Sequence, residues 1–320
     1  MAEIVLVHGI GQQQLSARTL KLDWVRDLAG GLENAGHLDL ADTLQPDTDR
    51  VEMAFWGGLF LPPGKPMGAR QGVEYLEEVL AGDPDLPDLM KSLAEEWLKA
   101  SAAMDAHPDT RRAVEIALKN LDQDQGLAQG GVVSTAQRFA RVMVKGFSSI
   151  PWFAEIGFGA AQLAIAALDQ VSRYMKDSNL RQAVLDKVLP LLGGETKIII
   201  GHSLGSVIAY DIARVVDYPL TLMVTMGSPL GIPNVVYDRL QPPPPTFPAR
   251  LQHWLNVAAP DDIVAAVLDL RPLFTDHLPK GSTFEGIVVG NGSRPHSATH
   301  YLTKPEVGAA IAQALDPRQR

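Results

Sequence analysis

Residues 197–205 read Lys-Ile-Ile-Ile-Gly-His-Ser-Leu-Gly, and an amphipathic helix pattern follows them at once. A sharp strand-to-helix turn of the form Gly-x-Ser-x-Gly needs its glycines, because a Cβ at Gly201 or Gly205 would collide with the turning backbone. The turn lifts the Ser203 hydroxyl above the edge of a sheet, which makes this serine the candidate nucleophile. It also puts the Leu204 N–H at a helix N-terminus, where partial positive charge can stabilise an oxyanion.

The strand-then-helix order of this stretch is repeated on both sides of it. Apolar, β-branched runs predict strands, and apolar residues at helical spacing predict helices between them. The alternation predicts right-handed β-α-β crossovers, and therefore an α/β protein with helices on both faces of a mostly parallel sheet. The predicted strands are 4–7, 51–55, 198–200, 220–226, 253–258 and 287–289, and the clearest predicted helices are 18–32, 206–216 and 305–315.

Residues 58–177 have almost no strand signal and are far more than a crossover of this kind requires. We therefore predict a helical insertion, a candidate lid, in a core formed by residues 1–57 and 178–320. The most apolar part is 142–175, but Pro151 breaks it and charged and polar side chains interrupt it, which favours a packed helix over a membrane span.

Three aromatic residues in this apolar part, Trp152, Phe153 and Phe158, suggest peripheral contact with a membrane surface.

Composition excludes several classes of function. The chain is 46% hydrophobic and 20% charged, as is ordinary for a globular protein, and its formal charge of −9 argues against a broad basic surface for nucleic acid. The absence of cysteine removes a Cys nucleophile, disulfides and thiolate metal sites. No histidine–acid spacing suits a metal, so we expect neither metal nor cofactor. Because the first strand begins at residue 3, we expect no secretory signal and a cytoplasmic location.

A serine nucleophile needs a histidine base, and the histidine needs a carboxylate to hold its tautomer. Asp261 and Asp262 follow the predicted strand 253–258, and spacing permits either. His296 and His300 follow the last predicted strand. We favour His296, which lies nearer the end of that strand in a Gly- and Ser-containing loop, whereas His300 adjoins the lead-in to the final helix.

Four segments of the sequence resemble the α/β-hydrolase superfamily, in particular its lipase, esterase and GPI-inositol-deacylase-like members. Those proteins combine a strand ending in His-Gly-x-Gly, a Gly-His-Ser-Leu-Gly turn and a later acid followed by an apolar pair. The resemblance implies a three-layer α/β-hydrolase fold and selects Asp262 as the acid, although Ile263 stands where the family has proline. The matching segments are 7–11, 201–205, 226–230 and 256–265.

The resemblance covers residues 3–56 and about 185–315, and the insertion lies outside it. Because the first strand already leads into the Gly-x-Gly loop, we expect a reduced sheet of about six strands. Gly9 and Gly11 let this loop turn, so that the N–H of Ile10 can join that of Leu204 in facing an oxyanion. A dinucleotide site is disfavoured, since Gln14 stands where a third glycine would be needed.

These features predict a serine hydrolase that cleaves carboxylic esters, of a small molecule or a lipid, through an acyl-enzyme on Ser203. His296 would act as base and then acid, and Asp262 would orient it. Two alternatives stay open. One is a catalytically idle hydrolase-fold module for binding or regulation. The other is an acyltransferase that uses the same triad.

Overall fold

A six-stranded sheet, parallel throughout, forms the centre of the computed structural model, with strand order β2-β1-β3-β4-β5-β6. This confirms the predicted α/β architecture and the sheet of about six strands. The structure describes residues 2–13, 15–60, 83, 85–102, 108, 111–112, 114–116, 118–119 and 159–316. The strands are β1 (Ile4–Val7), β2 (Val51–Ala54), β3 (Ile198–His202), β4 (Leu220–Met226), β5 (Leu251–Ala258) and β6 (Thr283–Val288).

Helices cover both faces of the sheet, as the alternating pattern predicts. Side chains that alternate along β1 serve two cores, because successive residues of a strand point to opposite faces: Ile4 and Leu6 join one core, and Val5 and Val7 join the other. The helices are α1 (Ala17–Asn34), α2 (Leu38–Thr43), α3 (Leu86–Ala102), α4 (Gly159–Lys176), α5 (Ser178–Val188), α6 (Leu204–Val215), α7 (Arg271–Phe274), α8 (Ala298–Leu302) and α9 (Pro305–Leu315).

The first core lies between the sheet and α1, α8 and α9, and the second lies under α3, α4, α5 and α6. Helices α1 and α9 cross at two glycines. A Cβ on Gly308 would collide with the carbonyl oxygen of Gly31, so this close approach requires glycine. The crossing holds α9 against α1, and α1 forms one wall of the candidate site described below.

Several element boundaries differ from the sequence prediction by one to four residues, and two of them bear on the site or the sheet edge. Strand β6 begins at Thr283, four residues before the predicted start. The sequence pattern misses these residues because β6 is an edge strand, and polar residues such as Glu285 interrupt its apolar run. Helix α6 begins at Leu204, directly after the glycine-rich turn, rather than at Ser206.

Two described helices, α3 and α4, belong to the predicted insertion. The Trp97 indole of α3 donates a hydrogen bond of 3.1 Å to the carbonyl of Pro260, which lies in the loop after β5. The Tyr174 hydroxyl of α4 donates to the buried Asp211 carboxylate of α6 at 2.7 Å. These contacts fix both helices to the core, and whether the insertion acts as a lid stays a prediction.

The rest of the insertion bears on two sequence hypotheses. Trp152, Phe153 and Phe158, which suggest contact with a membrane surface, lie outside the described residues. None of the helices in the described part of the chain is both long and apolar enough to cross a bilayer.

Candidate active site

The candidate site lies at the carboxyl ends of β1 and β3, where the strand order changes direction. From β1 the chain passes to β2 on one side, and it returns to β3 on the other. In open parallel sheets this reversal leaves a crevice between the two following loops, and ligands bind there. Here those loops carry Gly9 and Ser203, which the sequence predicts as parts of the oxyanion loop and the nucleophile turn.

Ser203 has a backbone conformation that few non-glycine residues adopt, with φ 55° and ψ −130°. Such a conformation costs on the order of 1–3 kcal/mol and persists only where surrounding structure enforces it. A Cβ on Gly201 would meet the carbonyl oxygen of Gly205, and one on Gly205 would meet the carbonyl oxygens of the β1 end. The predicted clash with the turning backbone is therefore found for Gly201, whereas Gly205 is required by the close approach of β1. The Ser203 N–H is bonded to the carbonyl of Met226 at 3.0 Å.

The structure brings Asp262 and His296 together. The Nδ1 of His296 lies 2.9 Å from each oxygen of the Asp262 carboxylate, which is completely buried. The N–H of Val264 donates to the same carboxylate at 3.0 Å, and the hydroxyl of Tyr301 donates to it at 2.8 Å. An ionised carboxylate only accepts, so this contact suits the tautomer that has its proton on Nδ1 and an acceptor at Nε2. That Nε2 is buried and has no partner.

The two rival residues lie in different surroundings. Asp261 is partly exposed in the turn that precedes Asp262. The Nδ1 of His300 lies 2.9 Å from the carbonyl oxygen of Asn291, so this ring contacts the loop after β6 through that nitrogen. The geometry therefore pairs Asp262 with His296, and their catalytic roles stay a prediction.

The predicted oxyanion loop lies directly against Ser203. A Cβ on Gly9 would be only 2.8 Å from the Ser203 Cβ, so only glycine permits this approach. Ile10, next in the loop, lines the same cavity as Ser203. Leu204 opens α6, and the first N–H groups of a helix have no partner within it. Ile10 thus follows the glycine that lies against Ser203, and Leu204 follows Ser203 itself; that their N–H groups face an oxyanion stays a prediction.

His8 braces this loop as a neutral ring. Its Nδ1 lies 2.5 Å from the Gly9 carbonyl oxygen, and its Nε2 accepts the N–H of Trp56 at 3.2 Å. Burial lowers the pKa of His8 to about 4, although the bond to Gly9 acts in the opposite direction. A ring that stays neutral can keep both bonds, and it stacks on the Trp56 indole with centroids 4.4 Å apart.

Two side chains beside the Asp262–His296 pair have neighbours that the sequence does not reveal. His202 has its ring centroid 4.5 Å from that of His296 and its Nε2 buried without a partner. Burial, followed by the nearby His296, lowers the pKa of His202 well below its usual range. Tyr301, which donates to Asp262, occurs in the sequence as an ordinary apolar-helix residue. Only its spacing of five from His296 ties it to the site.

A cavity of about 330 Å³ opens in front of Ser203 and His296. One wall is apolar and comes from the start of α1 and the residues before it, namely Leu15, Leu20 and Trp24. The segment 296–299, which is mostly polar, also lines the cavity. Asp23 is the charged residue among those that line it. Within the described residues, no three histidine, aspartate or glutamate side chains lie close enough together to hold a metal ion.

Comparisons with protein-family models, with curated proteins and with solved structures find no match for this chain. The function must therefore be argued from the site itself. What the site contains is a strained serine at a helix N-terminus, an unpartnered imidazole nitrogen in the same cavity and a buried carboxylate behind that imidazole.

Proposed function

We propose that this chain is a serine hydrolase of carboxylic esters with an α/β-hydrolase-type fold. The observation that carries the proposal is that His296, bonded to the buried Asp262 carboxylate, lines the same cavity as Ser203. Ser203 and Asp262 are 59 residues apart in sequence and Asp262 and His296 are 34 apart, yet the fold brings the acid to the base and the base to the cavity of the serine, as activation of a hydroxyl requires.

The proposed reaction begins when His296 Nε2 takes the Ser203 proton as the hydroxyl oxygen attacks the ester carbonyl. The carbonyl oxygen becomes negative and is stabilised by the N–H groups of Ile10 and Leu204. The imidazolium, held by Asp262, then gives its proton to the leaving alcohol, and an acyl-enzyme remains. Water, deprotonated by the same nitrogen, attacks this ester, and the proton returns to Ser203 as the acid leaves.

A fluorophosphonate probe tests the proposal directly, because it reacts only with a serine that has been activated. We expect wild type to gain one probe adduct in its intact mass and the adduct to map to the tryptic peptide that contains Ser203. A p-nitrophenyl ester series would be hydrolysed by the same preparation. Folded protein that takes up no probe would contradict the proposal and favour a binding module. Transfer of the acyl group to an added alcohol in preference to water would identify an acyltransferase.

The apolar wall of the cavity is the proposed binding site for the acyl chain. Pockets for small ligands start at about 300 Å³, so the described cavity suits a short acyl group. An ester of a small molecule or a lipid is the proposed substrate, on the basis of the sequence motifs and of this apolar wall. A cytoplasmic location is likewise a proposal.

A larger side chain on the apolar wall should reduce the space for the acyl chain and so change the preference for acyl-chain length. Leu15 lines the cavity and is 41% exposed, and Leu22 of α1 is 38% exposed but does not line it. We expect Leu15→Trp to lower kcat/KM for the octanoyl ester relative to the acetyl ester by roughly tenfold or more, as steric exclusion in an apolar pocket does. Leu22→Trp adds the same indole at a comparable surface position and should leave the ratio unchanged. An equal effect in both variants would place the acyl chain elsewhere.

A further inference from the structure

Tyr301 connects the last short helix to the triad acid through one buried hydrogen bond. The residue lies on α8 and is fully buried, and its hydroxyl donates to Asp262 Oδ2 at 2.8 Å. The same oxygen is 2.9 Å from His296 Nδ1. Two donors therefore share one carboxylate oxygen.

We propose that Tyr301 is a positioning residue for the triad, whose hydroxyl shares the Asp262 carboxylate with His296 and so limits how strongly that carboxylate holds the imidazole. This inference rests on the proposed function, because the consequence of the sharing is measured on the reaction of Ser203. The hydroxyl touches neither the substrate cavity nor the nucleophile and acts only through the acid.

The backbone at Gly227 leaves little space for the side chains around the Tyr301–Asp262 hydrogen bond to move. A Cβ on Gly227, which has φ +54°, would lie 2.7 Å from Asp262 Oδ2, 3.1 Å from His296 Nδ1 and 3.2 Å from Tyr301 Cε2. All three side chains thus converge on one glycine. Burial, with the Asp262 charge as the next cause, raises the pKa of Tyr301 well above its usual range. Its hydroxyl therefore remains a donor across the pH range of any hydrolase assay.

The sharing has a definite electrostatic consequence. The carboxylate accepts from Val264 N–H and Tyr301 O–H as well as from His296, and each donor compensates part of its charge. Without the hydroxyl, more of that charge would act on the imidazole and favour its protonated form. The other charged or titratable groups that face His296 are the neighbouring ring of His202 and, in the shared cavity, Asp23. The His202 ring centroid also lies 6.2 Å from that of Tyr301, and Tyr301→Phe keeps this aromatic neighbour while removing only the hydroxyl.

The test compares Tyr301→Phe with Tyr174→Phe. Tyr174 is equally buried and donates to another buried carboxylate, that of Asp211, but it belongs to the core on the opposite face of the sheet. We expect the acid limb of the kcat/KM profile to move to higher pH by about 0.5–1 unit in Tyr301→Phe, given the strength of a hydrogen bond to a charged group. Tyr174→Phe should lose thermal stability by a similar amount and keep the wild-type profile. An unmoved profile in Tyr301→Phe, or an equal movement in both variants, overturns the proposal.

A second measurement does not depend on turnover. The low-field proton resonance of His296 Nδ1, assigned by its loss in His296→Gln, should move further downfield in Tyr301→Phe, because the bond to Asp262 strengthens. Difluorotyrosine placed at position 301 is a stronger donor and should move it upfield. A resonance that stays in place in both overturns the proposal. A resonance that moves in a protein without probe labelling or turnover would instead sink the proposed function and leave Tyr301 as the organiser of the carboxylate–imidazole pair.

Discussion

Ser203→Ala should lower ester turnover by roughly 10⁴- to 10⁶-fold, the loss expected when the nucleophile of a triad is removed. It should also abolish labelling by the fluorophosphonate probe, since no other serine is expected to have the same histidine within reach. The fold should remain intact, because alanine keeps the Cβ that the turn already accommodates at φ 55°. The measurement is kcat/KM for a p-nitrophenyl ester, with intact mass after labelling and a thermal unfolding curve.

Two further variants make this result specific. Ser172→Ala removes the hydroxyl of another buried serine, which lies on α4 and donates to Asp83, and it should leave both labelling and turnover close to wild type. Ser203→Gly should be as inactive as Ser203→Ala yet more stable by about 1 kcal/mol, since glycine relieves the strained backbone at this position. Turnover retained in Ser203→Ala would sink the proposed acyl-enzyme.

Much of the fold follows from the sequence because its strands are buried on both faces. Strand β3 is apolar along its first three residues, and the glycine turn that ends it has a steric requirement that a sequence can show. Strand β6 does not follow in the same way. It is an edge strand that alternates polar and apolar residues, so only its last apolar residues stand out in the sequence. The parallel direction of the strands is predicted because strands that alternate with helices are joined by right-handed crossovers.

The site divides along the same line. The sequence motifs identify Ser203, and they limit the candidate acid to Asp261 or Asp262 and the candidate base to His296 or His300. This is possible because functional loops begin where the predicted strands end. Spacing alone does not select one residue of each pair, because the choice depends on which of the two side chains points into the core. In the structure Asp262 is buried and Asp261 is partly exposed. The neighbours of the triad, Tyr301 and His202, reach it through tertiary packing, which leaves no periodic trace in the sequence.

Asp262→Asn should lower kcat/KM by roughly 10⁴-fold, the loss seen when a triad acid becomes an amide. The reason is the tautomer. The amide can present its NH₂ to His296 Nδ1, which then must accept, and the proton moves to Nε2, where it blocks deprotonation of the serine. Protein stability should fall as well, because Tyr301 and Val264 lose the charge to which they donate. The measurement is kcat/KM with one ester, beside thermal unfolding.

The neighbouring pair supplies matched controls for the same assay. Asp261→Asn makes the same chemical change one residue away, and His300→Ala removes a ring bonded to Asn291 rather than to the acid. Both should keep turnover close to wild type, while His296→Ala should lose as much as Ser203→Ala. Inactivity confined to Asp261→Asn or His300→Ala would assign the acid or the base to the other member of its pair. Equal losses at positions 261 and 262 would show that the loop after β5, which Trp97 holds through Pro260, acts as a unit rather than through one carboxylate.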